Sequence, residues 1–405
     1  MIRDVSKRIN YAAPENMDYS DGIDRRFPIN IIRGVAGDFA DIYGDKLESP
    51  PQFFYATFMA FLGAKCSGRV VLDSILAIQP RLFIALIGES ADSRKSTALK
   101  MCKPYFSEIA THKKVGSGEG LTRVLSESSV VMLYYDELLT MIKKTKQESS
   151  TLLGMMTELF SENTAENQLA SAEKSMYVDN AYLSMVAGCT TKTYQKLFEE
   201  EALDIGFVNR LFIVPGESDK RIADPINVSS REHAIINEGL LRIDGMIKNG
   251  LAITKSNNAF DAYRQWYESV QRTECSKRID EYCQRWAILM AINKHEMEIN
   301  KDTMLDAIDL AEWQLKVREL YAPYEAKNGV GAIEEQIERQ LKIKGRLSHR
   351  DLFNFTNARR HGGRKAFEWA LKNLIESDVV QTIDVKKKRP EYVHTDSLPL
   401  VCSHF

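Results

Sequence analysis

Short apolar runs alternate with stretches of helical periodicity through the middle of the chain. The runs occupy residues 82–87, 130–135, 182–187 and 211–214, and each has the length and composition of a buried strand. Helical stretches separate them, and alternating strands and helices are typical of a mostly parallel sheet whose faces are covered. The pattern therefore predicts an α/β fold class for residues 81–217.

Helical patterns flank this segment on both sides. Residues 27–80 are predicted to form a helical N-terminal region, and residues 218–325 are predicted to form a helical lid. Residues 1–26 are polar and aperiodic, so we expect a disordered tail there.

The C-terminal segment, residues 326–405, starts with a glycine-containing linker and continues as helix, helix, helix and hairpin. Ser348 has the position of an N-cap for the second helix, and Gly362-Gly363 opens the third. Two strands are predicted at 379–385 and 392–393. The apolar face of the third helix is predicted to consist of Phe367, Ala370, Leu371, Leu374 and Ile375. This order of elements predicts a winged helix, a helix-turn-helix variant with a β-hairpin wing.

Charge is distributed unevenly along the chain. The net charge is -2, yet the stretch from Lys342 to Arg389 carries 13 Lys or Arg against 5 Asp or Glu. A basic module on an acidic body suggests that nucleic acid is bound there, with a solvated face or a protein contact as the alternatives. The candidate DNA-binding residues, at the start of the recognition helix and at the wing tip, are Arg359, Arg360, Arg364, Lys365, Lys386, Lys387, Lys388 and Arg389.

Composition favours a cytosolic globular protein of two or three domains. The chain has 405 residues, of which 44% are hydrophobic and 27% charged. It contains no run of about 18 apolar residues and no apolar N-terminal segment of the signal-peptide type, so we expect a cytoplasmic protein without a membrane span. The six cysteines form no CxxC pair, and we expect reduced thiols rather than disulfides or a zinc site.

A polar turn that resembles a P-loop follows the first apolar run. Residues 88–97, with the sequence GESADSRKST, predict a phosphate-binding loop between a strand and a helix. Lys95 is expected to reach the β- and γ-phosphates, and Ser96 is expected to ligate Mg²⁺, with Thr97 as the less favoured ligand. The main-chain N–H groups from Ser93 to Ser96 would cradle a phosphate, and Gly88 begins the turn.

The turn departs from the common pattern GxxxxGK[ST] in two respects. Arg94 stands where glycine is expected, and the loop that begins at Gly88 is one residue longer. A residue other than glycine restricts the backbone there. A loop that binds nucleotide weakly or not at all is therefore the alternative.

The second apolar run ends in two acidic residues. Asp136 is the expected magnesium ligand, directly or through water, and Glu137 is the expected base that orients and polarises the attacking water. A strand that ends in Asp-Glu can also be an ordinary transition from strand to turn. The order of the two motifs along the chain favours a site for ATP and Mg²⁺.

A third polar position follows the third apolar run, in Gly188-Cys189-Thr190-Thr191. Thr190, with Thr191 as the second choice, could hold the attacking water beside the γ-phosphate. Capping of a helix by either threonine is the equally weighted alternative.

Arg210 comes immediately before the last apolar run. If the sheet has the strand order of AAA+ ATPases, an arginine there cannot easily serve the nucleotide of its own subunit. It would project toward a neighbouring subunit and stabilise transition-state charge in trans, which requires an oligomer such as a ring. A surface arginine in an ion pair is the alternative.

These ordered elements resemble a AAA+ ATPase of the helicase kind. The chain is similar to the YfjI-like family of phage- and mobile-element-encoded P-loop proteins, from Phe27-Pro28 through the loop at 88–97 to Gly206-Phe207 and Arg210. It also resembles the minichromosome maintenance helicases. That second similarity is carried by the sequence GSGEGLT at residues 116–122, by Asp136-Glu137 and by Asn209-Arg210-Leu211-Phe212.

The resemblance, which covers about residues 27–325, implies a hexameric ring that moves along DNA with ATP during replication of a phage or mobile element. A primase could be a separate chain. The same resemblance implies that Arg285, or Arg278, is a second arginine sensor in the lid. It also implies that residues 161–181, with Lys174, form a pore hairpin that contacts the DNA backbone. For these residues a surface charge is the alternative.

The predicted function is thus ATP-driven unwinding of, or translocation on, single-stranded or forked DNA by an oligomeric AAA+ ATPase. The predicted architecture is a AAA+ core with a helical N-terminal region, a helical lid and a C-terminal winged helix. Two alternatives stay open. One is a AAA+ initiator, loader or phage-defence ATPase without unwinding activity, and the other is a DNA-binding protein that nucleotide only regulates.

Overall fold

The structure is a computed structural model that describes residues 26–88, 94–113, 115–145, 151–167, 176–197, 206–322, 329–356, 358, 363–383 and 390–397. Within these residues the chain divides into two compact units, and the division falls between residues 323 and 324. The larger unit contains the predicted N-terminal region, α/β segment and lid as one body.

The larger unit combines helices with mainly parallel strands. Its helices are α1 (Gly34–Lys46), α2 (Pro51–Cys66), α3 (Lys95–Cys102), α4 (Gly118–Glu127), α5 (Leu138–Thr145), α6 (Leu152–Leu159), α7 (Thr191–Lys196), α8 (Ser230–Ile247), α9 (Asn257–Ser269), α10 (Ile279–Asn293) and α11 (Lys301–Tyr321). Its strands are β1 (Val70–Leu72), β2 (Phe83–Ile87), β3 (Ala110–Lys113), β4 (Val130–Tyr135), β5 (Thr164–Asn167), β6 (Met176–Asp179), β7 (Tyr182–Cys189), β8 (Phe212–Pro215), β9 (Leu251–Lys255) and β10 (Glu298–Ile299).

A five-stranded sheet in the order β3-β4-β7-β2-β8 forms the centre of this unit. Each neighbouring pair is parallel, so the carboxyl ends of all five strands lie at one edge, here called the carboxyl edge. The opposite edge is called the amino edge. The prediction of an α/β fold with a mostly parallel sheet is confirmed. The four predicted strands are β2, β4, β7 and β8, and β3 was missed because its sequence, Ala-Thr-His-Lys, is not an apolar run.

Helix α2 is the buried centre of the helical layer. It begins at Pro51, where proline is preset for the first turn of a helix. Phe53, Phe54, Phe58 and Phe61 have no exposed surface, and the helix contacts β2, β4, β7 and β8 as well as α1 and α3. A helix that is apolar on all sides is stable only when it is enclosed. The N-terminal region is therefore part of the same core as the sheet.

The segment predicted as a purely helical lid contains α8 to α11 and two short strands. Strand β9 pairs in parallel with β1 and with β10, which gives a second, three-stranded sheet. Helix α10 packs on α11 and contacts the amino edge of the central sheet. There the hydroxyl group of Tyr282 donates to the carbonyls of Phe83 at 3.2 Å and Arg210 at 2.6 Å. Strands β5 and β6 form a separate antiparallel pair.

Among its described residues, the smaller unit contains three α-helices and three short strands. They are α12 (Gly329–Lys344), β11 (Leu347–Ser348), α13 (His349–Phe355), α14 (Gly363–Glu376), β12 (Val380–Ile383) and β13 (Glu391–His394). The strands form an antiparallel sheet in the order β11-β13-β12. Ser348 caps α13 by accepting a hydrogen bond from the main chain of Asp351 at 3.3 Å. Ile375 is 39% exposed, so its predicted place on the apolar face of α14 is wrong.

Among the residues that the structure describes, no helix combines the length and the apolar character needed to cross a lipid bilayer.

Candidate active site

The loops that follow β2, β4 and β7 meet at the carboxyl edge of the central sheet. The main-chain N–H of Gly88, directly after β2, donates a hydrogen bond of 3.2 Å to the carbonyl of Cys189 at the end of β7. Lys95 is the first residue of α3, and its Nζ donates to the carbonyl of Gly88 at 2.8 Å. The lysine predicted to bind phosphate therefore lies at the carboxyl end of β2.

Gly188 lets the loop after β4 approach this lysine. A Cβ atom at Gly188 would lie 2.4 Å from the carbonyl oxygen of Asp136 and 3.6 Å from Cε of Lys95. The first distance is shorter than any real contact of that kind, so only glycine fits there without a shift of the backbone. Both halves of the predicted site thus lie next to one residue of β7.

Arg94 adopts the left-handed backbone conformation for which the common loop pattern uses glycine. Its φ is 45° and its ψ is 37° at the N-cap of α3. For a residue with a Cβ atom this conformation costs on the order of 1–2 kcal/mol. At this position the chain therefore has an arginine in a conformation that glycine adopts without strain.

The side chain of Arg94 connects the loop to two other segments. Its Nε donates to Glu48 Oε2 at 2.9 Å, while the main-chain N–H of Ile222 donates to Glu48 Oε1 at 3.1 Å. The hydrogen bond from Ile222 and the guanidinium group of Arg94 together lower the pKa of Glu48. The carboxylate of Glu48, in the turn between α1 and α2, therefore binds both Arg94 and the segment after β8.

Tyr134 joins the two predicted magnesium ligands. The hydroxyl group of Ser96 hydrogen-bonds to the hydroxyl group of Tyr134, which in turn donates to Asp136 Oδ1. The other carboxylate oxygen of Asp136 lies 3.9 Å from Lys113 Nζ. Ser96 and Asp136, from the loops after β2 and β4, are therefore within reach of a single group.

These oxygen atoms fit a magnesium ion. A serine hydroxyl and a carboxylate are the hard oxygen ligands that Mg²⁺ uses, usually one or two of them together with phosphate oxygens and waters. Ser96 and Asp136 are exposed to solvent, whereas Thr97 is partly covered. On exposure, Ser96 is better placed than Thr97 to serve as a hydroxyl ligand for such an ion.

Thr190 caps helix α7, which is one of the two roles that the sequence left open. Its Oγ1 accepts from the main-chain N–H of Thr193 at 3.2 Å and lies 3.1 Å from the hydroxyl of Thr193. Thr193 in turn makes a long hydrogen bond of 3.5 Å to Glu137 Oε1. The residue that contacts the predicted base is therefore Thr193, and Thr190 acts on it through one intervening hydroxyl.

Arg210 lies at the amino edge, opposite Lys95. It ends a short 3-10 helix before β8, and its Nη1 donates to the carbonyl of Gly206 at 3.0 Å. The guanidinium carbon lies 5.9 Å from the centre of the Phe160 ring. Burial and the nearby positive charge of Arg278 lower the pKa of Arg210. Because the sheet separates the two residues, Arg210 cannot reach a phosphate held by Lys95 of the same chain.

Arg285 does not lie near the phosphate loop, and its predicted role as a sensor does not agree with its position. It is 1% exposed, and it donates to the carbonyls of Arg81 at 2.7 Å and Phe160 at 2.5 Å. Arg81 precedes β2, whereas Gly88 follows it, so the length of that strand, roughly 20 Å, separates Arg285 from the loop. Arg278, the alternative sensor, is the N-cap of α10 and forms an ion pair with Glu281 at 2.8 Å.

Several predicted positions lie outside the described residues. They are Ser93 in the phosphate loop, Lys174 in the predicted pore hairpin, and Arg359, Arg360, Lys386, Lys387, Lys388 and Arg389 in the C-terminal module. Of the described members, Arg364 and Lys365 are both exposed on the first turn of α14. Arg364 forms an ion pair with Glu368 at 3.4 Å.

Comparison with models of known protein families and with curated protein sequences finds no match for this chain.

Proposed function

We propose that the chain is an ATPase of the AAA+ kind that hydrolyses ATP at the carboxyl edge of the central sheet. The observation that carries the proposal is the convergence there of Lys95 and Ser96, from the segment after β2, with Asp136 and Glu137, from the segment after β4. A cation, a hydroxyl, a magnesium-binding carboxylate and a base are the groups that phosphoryl transfer requires.

The strand order supports the AAA+ assignment. Strand β7 separates β2, which leads to Lys95, from β4, which leads to Asp136. This order leaves space between the two loops for a triphosphate. It also sets Arg210 at the amino edge, where a neighbouring subunit could bring its own nucleotide against it.

Each group has a distinct task in the proposed reaction. Lys95 neutralises charge on the β- and γ-phosphates, and Glu137 accepts a proton from the water that attacks the γ-phosphorus atom. The bond between that phosphorus and the bridging oxygen breaks, and ADP leaves with the bonding electrons. Bound Mg²⁺, held by Ser96 and Asp136, would supply charge neutralisation at the phosphate oxygens. Arg210 of an adjacent subunit would stabilise the transition state in trans.

We further propose that this activity drives movement along DNA, or its unwinding, by an oligomeric ring with six subunits. We also propose that the smaller unit is a winged helix. Helix α14 carries Arg364, Lys365 and Lys372 on its exposed side together with Trp369, which is 65% exposed. Cations that contact phosphates and an aromatic ring that stacks on bases are the groups that bind single-stranded nucleic acid without sequence preference.

The test is ATP turnover by the purified chain with and without single-stranded DNA. Glu137→Gln and Lys95→Ala should abolish turnover that DNA stimulates. The matched controls are Glu127→Gln and Lys100→Ala, because both residues are exposed and the second lies on the same helix as Lys95. Equal activity of Glu137→Gln and Glu127→Gln would refute the site.

A regulator that binds nucleotide without hydrolysing it is the second candidate, and the left-handed backbone of Arg94 favours it. A strained loop can hold phosphate yet fail to align it for transfer. This candidate predicts ADP and ATP binding without turnover, together with DNA binding whose affinity falls steeply with salt. Turnover that Glu137→Gln abolishes would exclude it.

A further inference from the structure

Two consecutive tyrosines end strand β4, and their hydroxyl groups have different partners. Tyr135 donates to the main-chain carbonyl of Val115 at 2.8 Å. Tyr134 hydrogen-bonds to Ser96 and donates to Asp136. Both side chains are 4% exposed. Neighbouring residues of a strand point to opposite faces, so only one of these two buried tyrosines faces the predicted cation site.

The hydroxyl group of Tyr134 meets two requirements of metal ligands. A serine that binds a cation through its oxygen must direct its proton toward another acceptor, and Tyr134 is placed to accept it. A carboxylate that binds through one oxygen is held more firmly when its other oxygen accepts a hydrogen bond, and Tyr134 donates to Asp136 Oδ1. Partners of this kind orient metal ligands and fix their basicity.

Lys113, at the end of β3, is a third neighbour of Tyr134. Its Nζ lies 4.6 Å from the centre of the Tyr134 ring and 3.9 Å from Asp136 Oδ2. Lys113 therefore contacts both the ring of Tyr134 and the carboxylate of Asp136.

We propose that Tyr134 is a positioning residue for the divalent cation, which orients Ser96 and Asp136 through one shared hydroxyl group. The inference rests on the proposed function, because it concerns the cation that accompanies the nucleotide. It assigns a task in the site to a residue that lies inside the buried strand rather than in the loop.

The experiment compares Tyr134→Phe with Tyr135→Phe in the full chain. Each variant loses one buried hydroxyl from the same strand, so their thermal unfolding controls for structural damage. Binding of Mn²⁺ in the presence of ADP, measured by the loss of the free Mn²⁺ signal in electron paramagnetic resonance, reports the cation site without any need for turnover. The Mg²⁺ concentration that gives half-maximal ATPase rate is the second readout.

Tyr134→Phe should weaken cation binding by about 10–100-fold, while its affinity for ADP in EDTA stays within about twofold of the unaltered chain, since only the metal ligands have lost a partner. Tyr135→Phe should leave both affinities within the same twofold range. A double variant with Ser96→Ala should be weaker than Ser96→Ala alone by less than the loss seen in Tyr134→Phe, because the effect through Ser96 is already gone and only the effect through Asp136 remains.

Three outcomes would overturn the inference. Equal cation affinity of Tyr134→Phe and the unaltered chain would remove the positioning role, and so would equal losses in the two phenylalanine variants. Fully additive effects of Tyr134→Phe and Ser96→Ala would show that the tyrosine does not act through the serine. An unaltered chain that binds no ADP, with or without Mn²⁺, would instead refute the proposed function, and the inference would fall with it.

Discussion

The guanidinium group of Arg285 donates a hydrogen bond of 2.7 Å to the main-chain carbonyl of Arg81. The two arginines are both 1% exposed. Arg81 also donates to the carbonyls of Leu159 and Glu162 at 2.9 Å, and Arg285 donates to that of Phe160. Carbonyl groups at the end of a helix lack partners within it. The two arginines therefore satisfy the carboxyl end of α6, directly before the β5–β6 pair.

Replacing Arg285 should reduce stability more than nucleotide affinity. Arg285→Leu leaves the buried carbonyls of Arg81 and Phe160 without this donor and Glu281 without one of its two arginine partners, and should cost about 3–5 kcal/mol of the free energy of unfolding, measured by urea denaturation. Arg278→Leu is the control, since it removes a partly exposed ion pair to the same glutamate and should cost less than Arg285→Leu. A stable Arg285→Leu that no longer binds nucleotide would restore the sensor role.

Because the backbone of Arg94 is left-handed, glycine should give a more stable protein than alanine at this position, the reverse of the usual order in helices. Both Arg94→Ala and Arg94→Gly remove the contact with Glu48, but only glycine relaxes the left-handed backbone. Arg94→Gly should therefore be more stable than Arg94→Ala by about 1 kcal/mol in chemical denaturation. If alanine were equal or better, the loop would not hold that conformation in solution.

Mixing inactive subunits tests whether Arg210 acts in trans. Arg210→Ala subunits keep a complete carboxyl edge, while Lys95→Ala subunits keep the arginine, so a mixture should recover part of the ATPase activity. The control mixture combines Lys95→Ala with a chain that carries both substitutions, and it has no complete pair. Activity that falls additively at every ratio in the first mixture would place Arg210 outside the reaction.

Thr193 should affect the chemical step through Glu137. Thr193→Val removes the hydroxyl that contacts Glu137 at 3.5 Å, and should lower kcat on the order of tenfold with little change in KM, because the base loses its orientation. Thr193→Ser keeps the hydroxyl and should retain most of the rate. Equal rates for the valine and serine variants in steady-state assays would show that Glu137 needs no such partner.

The exposed aromatic ring of α14 should contribute to DNA binding. Trp369→Ala should weaken binding of single-stranded DNA by about 1–3 kcal/mol in fluorescence anisotropy, the range for loss of one stacked base. Lys365→Ala should instead reduce the slope of log affinity against log salt by about one. Ile375→Ala, an exposed apolar residue of the same helix, is the control. Unchanged affinity in Trp369→Ala would exclude stacking at this surface.

Sequence predicted the parts of the fold that depend on local pattern. The four apolar runs became β2, β4, β7 and β8, because a strand buried on both faces must be apolar throughout. Strand β3 was missed because it is an outermost strand of the sheet, and such a strand can carry polar side chains such as those of Thr111, His112 and Lys113. The short strands β9 and β10 were missed because pairing between distant segments leaves little trace in so few residues.

The sequence pointed to the loop residues of the candidate site but not to the residues that orient them. Lys95, Ser96 and Asp136 stand in recognisable spacings, whereas Tyr134 and Thr193 differ in no visible way from neighbouring tyrosines and threonines. Their partners are defined only when β4, β7 and α3 come together. The sensor role predicted for Arg285 does not agree with its position for the same reason. The sequence pattern around Arg285 indicates a helix but gives no information on which edge of the sheet that helix contacts.

The position of β7 has a consequence for how this protein can change over evolution. Two strand spacings, together roughly 10 Å, separate the ends of β2 and β4, and the main-chain bonds of β7 set that width without help from side chains. Residues in the loops can then be exchanged one at a time while the separation of the cationic and acidic groups stays constant. A protein of this build can accumulate unusual loop residues, such as an arginine in place of glycine, long before it loses the geometry of its site.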